Sequence, residues 1–205
     1  MSTTLITIVL ALGLGVAVVR RRSLAIALVA AQSLAIGVGA LDLTPERSSE
    51  FLVAAIVLIV KAVALPALLF VVLRRTREPR LVAAAAGPLM RLAGAAAAAL
   101  LAVVLLPPLG IGDERAEQTA VALVLVGISI VIARRPALLQ LLGLIVAENG
   151  IALLAVSVPE GLPYVIELGA LFDLALVVAV AAAFTRRIYE EFGTGDTELL
   201  RGLRD

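Results

Sequence analysis

Residues 51–73 read FLVAAIVLIVKAVALPALLFVVL, a stretch with a single charged side chain, Lys61. An α-helix needs about 20 apolar residues to cross the hydrocarbon core of a bilayer. A lysine at the centre of such a helix costs about 2.5–3.5 kcal/mol, so its presence calls for a partner or a function. The stretch therefore predicts a membrane-spanning helix with one ionisable group near its middle.

The whole chain shares this apolar character. Of its 205 residues, 62% are hydrophobic and 16% are charged, and the mean hydropathy is +1.12. Soluble domains are about 45–50% apolar, so this composition excludes a soluble enzyme, a nucleic-acid-binding domain and a disordered chain. The chain contains no Cys, His or Trp, which excludes disulfides and metal or haem sites built on Cys or His. We expect no cofactor.

Seven apolar segments approach or reach spanning length, and the pattern predicts an all-α, polytopic membrane protein. Residues 1–205 form a single integral membrane domain in this interpretation. Residues 1–110 carry helices one to four, 118–189 form a three-helix unit and 190–205 a short tail. The predicted spans are Thr3–Val19, Leu24–Leu41, Phe51–Leu73, Leu92–Leu109, Gln118–Ala133, Pro136–Val158 and Tyr164–Thr185.

Charged residues between the spans predict the orientation. Most of the 17 basic residues follow spans one, three, five and seven, and cytoplasmic connections are enriched in Arg and Lys. The N-terminus is therefore expected outside and the C-terminus inside, in the inner (plasma) membrane. The first span has its arginines after it, unlike a signal peptide. Gly87 and Pro88 predict a turn or a short interfacial helix before span four.

Four ionisable residues fall inside predicted spans: Lys61 in span three, Glu148 in span six, and Glu167 and Asp173 in span seven. Intramembrane charges most often mark a proton or ion path, although buried pairs that fix helix packing are the structural alternative. One lysine against three carboxylates favours handling of a cation over an anion pore. The chain has no phosphate-binding loop, which excludes an ATP-driven pump.

Four other polar or helix-breaking residues lie inside the predicted spans. Pro66 follows Lys61 and removes a backbone donor, which favours a hydrated local break near the lysine. Gln32 and Ser33 lie midway along span two, and an interhelical hydrogen bond explains them. Asn149 directly follows Glu148, and its amide is able to hydrogen-bond that carboxyl.

The C-terminal residues resemble the hydrogenase-4 component E family. The similarity is most specific in GLIVAENGIALLA (143–155), EGLPYVIELGALFD (160–173) and IYEEFGTGDTELLRGL (188–203), while Gln32-Ser33 and the segment Lys61–Pro66 fit the family's pattern. The resemblance implies a subunit of membrane-bound nickel–iron hydrogenase or formate-hydrogenlyase-type complexes, which are related to complex I. Its C-terminal helices are similar to the three-helix small subunit of complex I. By that similarity Glu148 resembles the channel carboxylate of the second helix, although the small subunit places its acid one turn earlier.

Three functions remain open on these grounds. In the first, the chain is a non-redox membrane subunit, not an enzyme by itself, that carries part of a proton or sodium path. That reading implies antiporter-like membrane subunits as partners, with nickel–iron hydrogenase-like and iron–sulfur subunits in the same complex and no nucleic acid. The alternatives are a stand-alone secondary transporter, or a purely structural subunit of a multisubunit cation/proton antiporter.

Overall fold

The computed structural model describes residues 2–43, 48–75, 87–105, 107, 110, 113–134, 136–158, 175, 178–179, 182, 186 and 190. Six helices of ten residues or more lie in these ranges: α1 (Thr3–Val18), α2 (Arg22–Leu43), α3 (Ser49–Arg75), α4 (Pro88–Leu105), α5 (Glu114–Ala133) and α6 (Ala137–Ser157). Helices α2 to α6 are long and apolar enough to cross a membrane, and α1 is a shorter apolar helix. The predicted all-α, polytopic class is confirmed.

The seventh predicted span lies almost entirely outside the described residues. Ala175, Val178, Ala179 and Ala182 are helical and belong to that segment. Glu167 and Asp173 lie outside the described residues, so their assignment to an ion path stays a prediction.

Two helix starts differ from the predicted ones by four residues. Helix α4 begins at Pro88, not at Leu92, because proline suits the first helical position, where no backbone donor is needed. Gly87 and Pro88 therefore lead directly into the spanning helix instead of forming a separate turn. Helix α5 begins at Glu114, four positions before Gln118, because the carboxylate of Asp113 caps the helix by accepting from two backbone N–H groups.

The helices pack in an order that differs from their order in the chain. Helix α1 is central and contacts α2, α4, α5 and α6. Helix α6 packs on α5, α2 and α1, whereas α3 packs on α2 and α4 packs on α5 and α1. The described bundle therefore has α3 at one edge and α4 at the opposite edge.

Glycines bring α5 and α6 into backbone contact. A Cβ atom on Gly127 would lie 2.5 Å from the carbonyl oxygen of Gly143 and 2.5 Å from the backbone nitrogen of Ala147. A Cβ atom on Gly150 would lie 2.6 Å from the carbonyl oxygen of Ala120. Such approach needs small residues, as at other interfaces between membrane helices. This contact fixes one face of α6 and directs the side chains on its other faces towards α2 and α3.

Hydrogen bonds at both ends align α1 with α5. Arg115 donates from Nη1 to Oγ1 of Thr3 over 3.1 Å at the N-terminal ends. At the other ends, Arg134 donates from Nη2 to the carbonyl oxygens of Ala17 (2.8 Å) and Val19 (2.6 Å). A cation on the last carbonyls of a helix satisfies acceptors that have no partner within the helix. The two helices therefore run parallel.

Candidate functional site

A buried ion pair joins α3 to α6. Nζ of Lys61 donates to Oε1 of Glu148, and the two side chains are 3% and 18% exposed. Each residue lies near the middle of its helix. Because the described part of α3 packs mainly on α2, these two long side chains bridge the gap to α6. A lysine paired in this way is far less costly in hydrocarbon than an isolated one.

One carboxylate oxygen of the pair is not satisfied. Oε2 of Glu148 is buried and has no hydrogen-bond partner among the described residues. A carboxylate has lone pairs on both oxygens, and an unbonded buried acceptor costs about 1–3 kcal/mol or more. A water molecule bound at Oε2 would remove this cost, and a proton bound there would remove the negative charge. The geometry therefore leaves Glu148 able to accept a proton without first breaking its bond to Lys61.

A separate network of neutral groups joins α1, α2 and α6. Nε2 of Gln32 donates to the carbonyl oxygen of Val9 over 2.9 Å, Nδ2 of Asn149 donates to Oε1 of Gln32 over 2.9 Å, and Oγ of Ser33 donates to Oδ1 of Asn149 over 3.0 Å. The three side chains are buried. The predicted interhelical hydrogen bonds of Gln32 and Ser33 are confirmed.

Asn149 does not bond the carboxyl of Glu148, so that expectation is wrong. Successive residues of an α-helix diverge by about 100°. Asn149 therefore faces α2, where it meets Gln32 and Ser33, while Glu148 faces Lys61 on α3. The adjacency in the sequence places two different polar sites side by side on one helix.

Pro66 lies inside α3, which is assigned as helix from Ser49 to Arg75. The helix continues through the proline, and no local break separates Lys61 from the residues that follow. The hydration predicted beside Lys61 stays a prediction.

Four further charged residues are buried and were not singled out as site residues on the basis of sequence: Arg22, Arg91, Glu117 and Arg134. Glu117 in the first turns of α5 accepts from the backbone N–H of Gly110 over 3.0 Å. Arg91 and Arg134, expected as connection charges, are both buried. Burial, together with the positive charges of Arg91 and Arg20, lowers the pKa of Arg134 to about 10, so it stays protonated at neutral pH. The sequence signal for a buried Arg91 was its position three residues after Pro88, a proline that opens an apolar helix.

Within the described ranges, no group of three or more acidic side chains could hold a metal ion. Among the described residues, the polar centre of the bundle holds the Lys61–Glu148 ion pair and the amide–hydroxyl network. A carboxylate beside a lysine is able to bind a proton or a cation.

Residues 116–205 match the family model described as NADH-ubiquinone/plastoquinone oxidoreductase chain 4L. A Mycobacterium tuberculosis protein described as uncharacterized is 37% identical over 90 residues, which are 44% of this chain and 41% of that protein. The chain thus matches about two fifths of the length of this relative. No solved structure matches. The C-terminal part of the chain is similar to a membrane subunit of complex I-type oxidoreductases, and this part includes Glu148 and Asn149 but not Lys61.

Proposed function

We propose that the chain is a non-redox membrane subunit of a complex I-related oxidoreductase complex. In this proposal Lys61 and Glu148 contribute to the translocation of protons, or of sodium ions, and to assembly. Glu167 and Asp173 extend the path through the seventh span. The chain does not catalyse a redox reaction by itself. It lies in the inner membrane, and the arginine-rich segments that follow its odd-numbered spans face the cytoplasm.

The observation that carries this proposal is the half-satisfied ion pair at the middle of the bundle. A pair that served packing alone would gain from bonding both carboxylate oxygens. Here Oε2 of Glu148 is buried without a partner among the described residues, and the Nζ of Lys61 holds the other oxygen. Such a carboxylate changes its protonation state at low cost, because the nearby cation and the surrounding hydrocarbon oppose each other.

The parent complex in this proposal is of the hydrogenase-4 type. Its other subunits are antiporter-like membrane proteins together with nickel–iron hydrogenase-like and iron–sulfur proteins. The charged residues of the site come from two different parts of this chain. Glu148 and Asn149 belong to the part similar to chain 4L, whereas residues 1–110 contribute Lys61 and Gln32.

The test is Glu148→Gln in the purified parent complex, reconstituted into vesicles. The amide keeps the size of the carboxyl and can accept from Lys61, but it cannot titrate. We expect an assembled complex in which electron transfer continues while proton movement per electron falls at least about tenfold, an effect on the order of 1.4 kcal/mol. Glu114→Gln is the matched control, because Glu114 is exposed at the first position of α5. This variant should leave the number of protons moved per electron unchanged.

Three outcomes would contradict the proposal. Unchanged coupling in an intact Glu148→Gln complex would remove this carboxylate from the path. Failure of assembly with normal coupling in the remaining complex would assign the pair to a structural role. Full transport by the isolated chain in vesicles would identify a stand-alone secondary transporter.

A further inference from the structure

Arg91 lies on the buried face of α4 with its guanidinium group unsatisfied. It shares this face with Ala95, Ala99 and Ala102, which are spaced so that they point towards the bundle. Its side chain is 4% exposed, and Nε, Nη1 and Nη2 are all buried without a hydrogen-bond partner in the part of the chain that the structure describes. Arginine presents five N–H donors and stays charged. A buried guanidinium group that has no acceptor among the described residues is able to bind an anion.

The surroundings of Arg91 add positive charge instead of neutralising it. Arg134 is 3% exposed; its Nη2 donates to α1 carbonyls, and its Nη1 is buried without a partner among the described residues. Arg20, just beyond α1, and Arg91 both act on Arg134 through charge repulsion. Arg134 lies on the last carbonyls of α1, directly before Arg20, and Arg91 is close enough to both to act on them through its charge.

The start of α4 adds a positive helix dipole to this end of the bundle. Pro88 opens the helix, and the first backbone N–H groups of a helix have no partner within it. Phosphate oxygens bind at such N-termini. Arginine also matches phosphate geometry, because its planar fork donates two parallel hydrogen bonds.

Exposed apolar side chains lie beside the arginines on the same turn. Leu89 and Met90 are 78% and 69% exposed, and further apolar residues of α4, among them Leu100 and Val104, are exposed along its length. A phosphate joined to acyl chains matches both features. The phosphate would meet the guanidinium groups while the chains lie along the apolar surface of α4. A free phosphate ion would match the charge alone.

We propose that Arg91, Arg134 and Arg20 bind the phosphate group of an anionic phospholipid, whose acyl chains lie against α4. The lipid completes the hydrogen bonding of Arg91 and holds the edge helix α4 to α1 and α5. Basic pockets between spanning helices are known sites for anionic head groups. This site is separate from the Lys61–Glu148 pair and does not depend on the proposed ion path.

The test is native mass spectrometry of the full chain in detergent, titrated with phosphatidylglycerol, phosphatidylcholine or inorganic phosphate. We expect one tightly held phosphatidylglycerol on the wild-type chain and about fivefold or greater weakening in Arg91→Gln, which removes one cation from the site. Arg21→Gln is the matched control, since Arg21 is exposed at the same end, and it should bind as the wild type does. Arg91→Lys keeps the charge without the fork and should bind at an intermediate strength.

Several results would overturn the proposal. Equal retention of phosphatidylglycerol and phosphatidylcholine by the wild-type chain would do so even if Arg91→Gln failed to fold. Equal weakening by Arg21→Gln would indicate general surface attraction. Inorganic phosphate that binds as tightly as the lipid would make a free anion the ligand. If the isolated chain retained phosphatidylglycerol but the assembled complex did not, the arginines would instead bind a carboxylate of a partner subunit.

Discussion

Glu148 and Asn149 are neighbours in the chain but belong to two polar regions of different kinds. The region around Asn149 consists of neutral groups, and its three hydrogen bonds join α6 to α2 and α2 to α1. Among the described residues, the region around Glu148 holds two charges, and Oε2 of Glu148 has no hydrogen-bond partner. Neutral, satisfied groups hold helices in place, whereas a charged pair with a free acceptor can change its protonation.

The two regions also differ in how their helices meet. The neutral network lies between α1, α2 and α6, which pack on one another. The charged pair spans from the edge helix α3 to α6, and Glu148 retains 18% exposure. A region of buried side chains therefore adjoins one whose carboxylate is partly exposed. This difference indicates that substitutions in the charged pair should affect coupling, while substitutions in the neutral network should affect stability alone.

The largest effect is expected from Lys61→Met, which leaves Glu148 without its cation. Breaking a buried pair by removing one partner costs about 3–5 kcal/mol, so the free energy of unfolding should fall and proton movement should be lost. The double variant Lys61→Met with Glu148→Leu removes both charges and should recover most of the stability without recovering transport. Thermal unfolding and proton uptake by vesicles measure the two quantities. Recovery of transport in the double variant would show that neither charge carries protons.

A smaller effect is expected from Gly127→Ala, which tests the backbone contact that orients α6. The new Cβ would lie 2.5 Å from backbone atoms of α6, and overpacking of this kind costs about 1–3 kcal/mol. Because α6 would have to move, both polar regions should be affected and coupling should fall along with stability. Gly94→Ala is the matched control: its Cβ would meet nothing within 4 Å, and helix propensity favours alanine by up to about 1 kcal/mol. Equal loss of stability in Gly127→Ala and Gly94→Ala would contradict the close approach of the α5 and α6 backbones at Gly127.

The smallest effect is expected from Ser33→Ala, which removes one bond of the neutral network. Hydrogen bonds between membrane helices are worth about 0.6 kcal/mol on average, so the unfolding midpoint should fall slightly and coupling should not change. Ser129→Ala is the matched control, because the hydroxyl of Ser129 bonds the carbonyl oxygen of Val126 within its own helix. A loss of coupling in Ser33→Ala would mean that the two regions act as one.

Sequence reasoning found the residues of both regions but not their partners. Lys61, Glu148, Gln32 and Ser33 were identified because polar groups are rare and costly in the middle of an apolar helix. Adjacency in the chain suggests Glu148 as a partner of Asn149, but successive residues of a helix point to different neighbours. Arg91 is one of the basic residues that follow span three, and only the continuous helix from Pro88 puts it on a buried face.

The sequence by itself determined that the chain is a bundle of apolar helices with ionisable groups at their centres. Hydropathy is a property of each segment and needs no knowledge of its neighbours. Only the tertiary structure decided that Lys61 meets Glu148, that Asn149 meets Gln32 and Ser33, and that Arg91 and Arg134 are buried at one end. These pairings depend on which helices are adjacent and how each is rotated. That arrangement is set by small residues such as Gly127 and Gly143, where two backbones come close enough to fix the direction of every other side chain on α6.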